Sequence, residues 1–169
     1  MEASVPALGF IAFLMIQRGA ELVLARRNTR RLLARGAVEH GARHYPLIVA
    51  LHAAWLLAIT AWGWTSSVHV GWLTAFALLQ VLRIWVLVSL GPRWTTRIIV
   101  IDEPLVARGP YRWFPHPNYA VVIAEIVVAP MVLGLWQVAL VFSLLNAAVL
   151  TIRIRAEARA LGLPRADCD

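Results

Sequence analysis

The stretch GPYRWFPHPNY, residues 109–119, separates two groups of long apolar runs. Each of its prolines fixes its own φ and lacks a backbone donor, so the stretch is predicted to form neither a regular helix nor a central strand. The residue before each proline is also pushed toward extended backbone. Non-helical backbone at membrane depth is tolerated only where protein or a water-filled cavity satisfies its polar groups. The stretch is therefore predicted to be a stiff loop that forms one wall of a pocket.

The composition of the whole chain indicates a membrane protein. Of its 169 residues, 60% are hydrophobic and eight are tryptophan, which is more apolar surface than a soluble domain of this length buries. Apolar runs recur along the chain, unlike the one short run of a signal peptide, so the first run is predicted to be a retained span.

The formal net charge of +7 comes from arginines, which mostly flank the apolar runs. Membrane topology explains this charge better than nucleic-acid binding does. The one cysteine, Cys168, allows no intrachain disulfide and argues against a thiolate metal site. The partner predicted is thus the lipid bilayer, with no nucleic acid and no metal.

Five apolar runs predict an all-α integral membrane protein with one membrane domain. The predicted spans are residues 5–25, 46–64, 68–90, 119–135 and 136–152. The last two runs meet near Gly134 and predict a tight helical hairpin. The predicted site loop, 91–118, precedes this hairpin, and a charged helical extension, 153–163, follows it.

Two of the polar connections carry their own predictions. Residues 26–45 are basic but include Leu32, Leu33 and Val38, which predict a short amphipathic helix in the membrane interface. Within the site loop, residues 97–101 and 104–109 are predicted to be extended on either side of a turn.

The arginines orient the spans. They crowd the first link, the third link and the tail, and they are absent from the second and fourth links. By the positive-inside rule the N-terminus lies outside, and the site loop and tail share the cytoplasmic side of a bacterial inner membrane. The proline-rich loop and the C-terminal helix are therefore predicted to build one cytoplasmic pocket.

The last helix supplies two candidate site residues. Arg153 and Glu157 are four residues apart, so they share one face of a helix. A cation and an acid that face a loop with tyrosine, histidine and asparagine side chains suit a polar, zwitterionic ligand. The alternative left open is an ordinary ion pair at the membrane surface.

Charged residues also occur inside the apolar runs. Glu125 lies within the fourth run, where an ionisable group is costly unless it is partnered. Arg83, in the third run, is predicted to contact it, either as a structural pair or as a pair that lines an acceptor cavity. Arg18 and Glu21 have the spacing of a helical pair and are interpreted as a snorkelling arginine with its carboxylate.

The pattern G-P-Y-R-x-x-x-H-P-N-Y, a helical hairpin and then R-I-x-x-E-x-x-x-L resembles the isoprenylcysteine carboxyl methyltransferase family of integral membrane methyltransferases. The resemblance covers about residues 80–163. The stretches GAVEHGARHYP and SLGPRWTTRIIV look like the bacterial branch associated with type III polyketide synthases, whose members methylate long-chain alkylpyrones.

This resemblance implies that S-adenosylmethionine binds between the loop and the last helix. By motif, the cofactor-binding residues are Tyr111, His116, Pro117, Asn118, Tyr119, Arg153 and Glu157. The expected catalytic residues are Arg153, which would position an anionic oxygen, with Glu157 and His116. The sequence departs from the family pattern at Pro115, where a basic residue is usual, and at Ala158, where a second acid is usual.

The expected function is therefore O-methyl transfer to a carboxylate or enol of a lipophilic acceptor, such as an isoprenylcysteine or an alkylpyrone. One alternative is a phospholipid N-methyltransferase, whose amine acceptor would demand a base such as Glu125. Another is a non-catalytic membrane scaffold or small transporter. The sequence indicates no oligomeric state.

Overall fold

The computed structural model describes residues 2–104, 106–114 and 116–160. It contains five helices: α1 (Val5–Ala34), α2 (Tyr45–Gly63), α3 (Val70–Leu90), α4 (Pro117–Val132) and α5 (Trp136–Ala160). The predicted helical fold is confirmed. Two three-residue strands, β1 (Val38–His40) and β2 (Ile98–Val100), accompany the helices. Pro115, Cys168 and the end of the predicted extension, 161–163, lie outside the described residues.

Four helical segments are long and apolar enough to cross a membrane: Val5–Ala34, Ala42–Gly63, Val70–Arg93 and Trp136–Glu157. Helix α4 is also apolar but has only 16 residues. It packs against both α3 and α5. The protein is thus a membrane protein, and a fifth span through α4 stays a prediction.

Side chains from all five helices form the apolar core between the helices. Leu14, Trp55 and Ile59 are fully enclosed there. Phe10 of α1 meets Phe76 of α3 edge to face, with ring centroids 5.2 Å apart. Many large apolar side chains instead face outward, as expected where lipid rather than water surrounds the bundle.

A cluster of buried charges crosses this core. The predicted contact of Arg83 with Glu125 is confirmed, with Arg83 Nη1 donating to Glu125 Oε2 over 2.5 Å. The predicted Arg18–Glu21 pair is also confirmed, at 3.1 Å. The interpretation of Arg18 as snorkelling to the surface is wrong, because its Nη2 donates inward to Glu125 over 2.7 Å.

The two pairs form one network, since Arg83 also donates to Glu21 from Nη2 over 2.5 Å. Gln80 Nε2 donates to Glu125 Oε1 over 2.9 Å. Glu125 thus accepts from two guanidinium groups and one amide, and the network joins α1, α3 and α4. These three donors offset the cost of burying the Glu125 carboxylate in a low-dielectric interior.

The first link differs from its prediction. Residues 26–34 continue α1, and Val38 begins β1, so the separate interfacial helix does not form. The sequence has no helix breaker between residues 25 and 34, and Gly36, with φ +88°, follows the end of the helix.

The first and third links meet at one end of the bundle. Strand β1 pairs antiparallel with β2, with Val38 opposite Val100 and His40 opposite Ile98. Asn28 of α1 donates through Nδ2 to the carbonyl oxygen of Trp94 over 2.9 Å. Only part of the predicted extended backbone in the site loop is a strand: residues 104 and 106–108 form none, and a short 3-10 turn begins at Gly109.

Candidate functional site

A cavity of about 460 Å³ opens at this end of the bundle, between the site loop and α5. Its volume lies within the range of roughly 300–1,000 Å³ that small-molecule sites occupy. One end is polar and is lined by Tyr111, His116, Asn118, Tyr119, Arg153 and Glu157. The rest of the lining also includes Arg93, Trp94, Thr95, Arg97 and Glu103. Its apolar residues, called the apolar wall below, are Leu32, Leu90, Ile98, Ile99, Val100, Ile101, Val106 and Ala107.

Tyr119 lies between two charged residues of α5, Arg153 and Glu157. Its hydroxyl donates to the carboxylate of Glu157 and accepts from Nε of Arg153 over 2.9 Å. Nη1 of Arg153 donates to the carbonyl oxygen of Thr96 over 2.8 Å. The Arg153 guanidinium is therefore fixed by two acceptors. The Glu157 carboxylate and the Arg153 guanidinium both contact the Tyr119 hydroxyl.

Local structure explains why these side chains meet. Helix α5 runs without a break to Ala160, so Arg153 and Glu157 share one face, as the i, i+4 spacing predicted. Pro117 occupies the first turn of α4, where its missing N–H costs no helical hydrogen bond. Helix α4 thus begins directly after His116 and places Tyr119 in its own first turn.

The aromatic residues of the loop complete the polar end. The His116 ring stacks on Tyr119, with centroids 5.3 Å apart and planes 24° apart. Burial raises the pKa of Tyr111 above its ordinary value, and the nearby Glu157 carboxylate raises it further. The Tyr111 phenol therefore keeps its proton at neutral pH.

Six of the seven residues predicted to bind the cofactor line this cavity. The seventh, Pro117, is buried and starts α4 instead. Asn118 faces Trp94, whose Nε1 lies 3.4 Å from Asn118 Oδ1. Ala158, the other departure from the family pattern, belongs to α5, but the structure does not describe its side chain.

Arg83 and Glu125, predicted to contact each other, are not among the residues that line this cavity. Their side chains are committed to the buried network between α1, α3 and α4. Among residues 2–104, 106–114 and 116–160, no group of three histidine, cysteine or acidic side chains is arranged to hold a metal ion.

Sequence reasoning missed several residues that shape the cavity. Arg97 lines it, donates to Glu39 over 2.8 Å and lies over the Tyr45 ring, 4.4 Å from its centroid. Arg93 and Arg35 both form ion pairs with Glu103. The only sequence signal for these contacts is the alternation of arginine and acid across two polar links.

Glu103 lines the cavity and forms ion pairs with Arg35 and Arg93. The hydrogen bond from Arg93 is the main cause that lowers the pKa of Glu103; burial opposes it, and the charges of Arg35 and Arg93 lower the pKa further. Glu103 is therefore ionised at neutral pH and links the loop to the end of α1.

The chain is similar to bacterial proteins over most of its length. The "Uncharacterized protein YpbQ" of Bacillus subtilis (strain 168) is 41% identical over 157 residues, which are 89% of this chain and 94% of that protein. An "Uncharacterized protein" of Haemophilus influenzae (strain ATCC 51907 / DSM 11121 / KW20 / Rd) is 24% identical over 158 residues, with 89% of this chain and 91% of that protein covered. No solved structure matches significantly.

Residues 72–162 match the isoprenylcysteine carboxyl methyltransferase (ICMT) family. This range is more than half of the 169 residues and includes most of α3, the site loop, α4 and α5. It also contains the whole polar end of the cavity. The chain belongs to the isoprenylcysteine carboxyl methyltransferase family.

Proposed function

We propose that the protein is an S-adenosylmethionine-dependent O-methyltransferase that acts on an acidic oxygen of a lipophilic acceptor. Family membership indicates a membrane methyltransferase. The observation that carries the finer proposal is the contact of Tyr119 with both Glu157 and Arg153 at the polar end of a cavity whose other wall is apolar.

The polar end fits the cofactor chemically. S-adenosylmethionine combines an amino group, a carboxylate, a sulfonium and an adenosine. The carboxylate of Glu157 suits an ammonium or a ribose hydroxyl, and the guanidinium of Arg153 suits a carboxylate. The rings of His116, Tyr119 and Tyr111 suit a sulfonium or a flat base. When bound, the cofactor supplies a methyl group that is already activated for transfer.

The residues of this chain would then mainly position the acceptor. Arg153 is fixed by Tyr119 and Thr96, so its guanidinium offers an anionic oxygen a site that needs no rearrangement. A carboxylate or an acidic enol is ionised near neutral pH, so it requires no general base. The apolar wall, with Leu90 and Ile98 among its residues, excludes water and suits a hydrocarbon chain.

Phospholipid N-methylation is less favoured by the same geometry. An amine acceptor must lose a proton, and Glu125 was the residue expected to take it. Glu125 accepts hydrogen bonds from Arg18 and Arg83 and does not line the cavity. A role for Arg83 and Glu125 in packing the helices is therefore preferred to a role at the acceptor, and it is part of this proposal.

The proposal includes a topology. The protein lies in a bacterial inner membrane with five spans, the N-terminus is outside, and the cavity faces the cytoplasm. A soluble cofactor would enter from the cytoplasm, and an oily acceptor, either an isoprenylcysteine or an alkylpyrone, would come from the bilayer.

The test is calorimetric binding of S-adenosylhomocysteine to the purified protein. Glu157→Ala and His116→Ala are expected to weaken binding at least tenfold, while Asp102→Ala, an exposed acid of the same loop that does not line the cavity, leaves it unchanged. Unchanged affinity in both site variants would reject this site. Absence of binding by the unaltered protein would favour a scaffold or transporter.

The acceptor is tested separately with a labelled methyl donor. Prenylcysteines, long-chain alkylpyrones, lipid acids and phosphatidylethanolamine are compared as acceptors. Label in an O-methyl product supports the proposal, whereas label only in phosphatidylethanolamine supports the N-methyltransferase.

A further inference from the structure

Four exposed arginines form a stripe along the end of α1. The stripe consists of Arg26, Arg27, Arg30 and Arg31, and with Val23 these side chains line a shallow hollow of about 400 Å³. Residues 26 and 30, like 27 and 31, are one helical turn apart, so all four guanidinium groups lie on one side of the helix. The hollow belongs to α1 alone and shares no lining residue with the larger cavity.

The stripe carries a charge that the described part of the protein does not neutralise. Arg18, Arg35, Arg83, Arg93 and Arg97 each have a carboxylate within ion-pair distance. Among the residues the structure describes, none of the four stripe arginines has one. Four cations held this close on a helix repel one another, so an anion placed among them relieves the repulsion.

The position of the stripe along α1 matches the headgroup layer of a bilayer. The predicted span 5–25 rises about 31 Å as a helix, close to the roughly 30 Å of a hydrocarbon core. Arg26 follows directly, and Arg31 lies about 8 Å farther along the axis. The headgroup layer on each side of a bilayer is roughly 5–8 Å thick. The stripe therefore spans the depth at which lipid phosphates lie.

We propose that the arginine stripe of α1 binds the phosphate of an anionic phospholipid. Guanidinium groups bind phosphate through paired, charge-assisted hydrogen bonds. Val23 and Leu24, both exposed just before the stripe, lie at the depth of the acyl chains of the same lipid. An anionic headgroup with acyl chains satisfies both contacts, whereas a free phosphate satisfies only one.

The part of α1 that carries the stripe also contacts the site loop and the larger cavity through Asn28 and Leu32. Asn28 Nδ2 donates hydrogen bonds to the carbonyl oxygens of Gly91 and Trp94. Leu32 lines the larger cavity. A lipid bound to the stripe would therefore steady the helix that supports the site loop. This inference stands independently of the methyl acceptor and of the cofactor.

The test uses protein delipidated in detergent and titrated with phosphatidylglycerol, phosphatidylcholine of the same chains, or inorganic phosphate. Bound lipid is counted by native mass spectrometry, and the melting temperature is recorded in parallel. Phosphatidylglycerol is expected to bind and to raise the melting temperature, more than either alternative. Equal effects of the two lipids, or of inorganic phosphate at the same concentration, would overturn the proposal.

A matched pair of variants locates the site. Replacing all four stripe arginines by glutamine is expected to weaken phosphatidylglycerol binding about a hundredfold, since each basic group at an anionic surface contributes several-fold. The control replaces four exposed arginines elsewhere, Arg43, Arg112, Arg155 and Arg159, by glutamine and keeps most of the affinity. Equal losses in both variants would contradict a site on the stripe.

A measurement on the unaltered protein guards against misfolding of the variants. Photoactivatable phosphatidylglycerol is cross-linked to the protein, and the labelled peptides are identified after proteolysis. Label concentrated on residues 23–31 supports the proposal, and label concentrated elsewhere overturns it.

Discussion

Nε of Arg153 donates to the hydroxyl oxygen of Tyr119 over 2.9 Å, and the same hydroxyl donates its proton to Glu157. One phenol therefore sets the distance between a cation and an anion that are both carried by α5. Tyr119 belongs to a different helix, so this contact also ties α4 to α5 where the cavity is polar. The geometry of the candidate site depends on that single hydroxyl.

Tyr119→Phe is expected to weaken S-adenosylhomocysteine binding about tenfold or more. The change removes two charge-assisted hydrogen bonds, each worth roughly 1.5–3 kcal/mol, and lets Arg153 and Glu157 move apart. Calorimetry measures the affinity. The matched control is Tyr45→Phe, which loses a hydroxyl 3.2 Å from Thr96 Oγ1 and does not line the cavity. Equal affinities for Tyr119→Phe and the unaltered protein would show that the hydroxyl does not organise the site.

Glu125→Gln is expected to destabilise the protein by about 3 kcal/mol or more. The change removes the more deeply buried of the two carboxylates that Arg18 and Arg83 share and leaves them with Glu21 alone, and breaking a buried pair typically costs roughly 3–5 kcal/mol. Thermal unfolding in detergent measures the loss. Glu39→Gln breaks the more exposed pair with Arg97 and is expected to cost less than about 1 kcal/mol. Similar losses in the two variants would argue against a structural role for the network.

Gly109→Ala is expected to destabilise the start of the proline-rich loop. Gly109 has φ +59°, and an added Cβ would overlap Ser89 Oγ and lie 3.3 Å from Trp85 Nε1. The left-handed backbone costs about 1–2 kcal/mol for alanine, and overpacking adds roughly 1–3 kcal/mol. Urea or thermal unfolding measures the sum.

Two further variants separate these contributions. Gly36→Ala has the backbone strain alone, because φ is +88° and no atom lies within 4 Å of the added Cβ. It should lose less stability than Gly109→Ala. Adding Ser89→Ala to Gly109→Ala removes the overlapping hydroxyl and should restore part of the loss. A Gly109→Ala protein as stable as the Gly36→Ala protein would contradict the tight approach.

Low pH is expected to weaken the ion pairs of Glu103 and so to destabilise the site loop. The pKa of Glu103 is lowered chiefly by the hydrogen bond from Arg93, so the folded pKa lies below the unfolded value of roughly 4.3. The pair therefore stabilises the loop fully above that unfolded pKa, and this contribution is lost as pH falls through the folded pKa. Hydrogen exchange of residues 91–104, corrected for intrinsic rates, should show lower protection at pH 3 than at pH 7. In the Glu103→Gln variant, residues 91–104 should be less protected at pH 7 than in the unaltered protein. Their protection should also differ little between pH 3 and pH 7.

The sequence predicted the parts of the fold that depend on local pattern. Long apolar runs predicted the helices, and Gly134, with φ +70°, is at the break between α4 and α5. The contact of Arg83 with Glu125 was predictable because both charges lie within apolar runs, where an unpartnered charge is costly. The i, i+4 spacing of Arg153 and Glu157 likewise placed both side chains on one face.

The parts that the sequence did not predict are contacts between distant links. Pairing of Val38 with Val100 and the hydrogen bond from Asn28 to Trp94 join polar segments that have no periodic pattern. Arg18 was misread because its nearest acid in sequence is Glu21, while Glu125 is 107 residues away. Thr96 contributes a backbone carbonyl, a group that every residue type has, so its side chain gave no signal.

The distance in sequence between Arg18 and Glu125 also constrains biogenesis. Helix α1 leaves the ribosome long before the residue that shares its charge has been made, because 107 positions separate the two. Before that, Glu21 of the same helix is the acid within reach of Arg18, and an incompletely compensated charge in hydrocarbon is costly. The buried network that α1 shares with α4 is therefore completed only after α4 has been made. Truncated chains that stop before residue 125 should consequently hold α1 in the membrane less firmly than the full chain does, because they lack the contacts of Arg18 and Arg83 with Glu125.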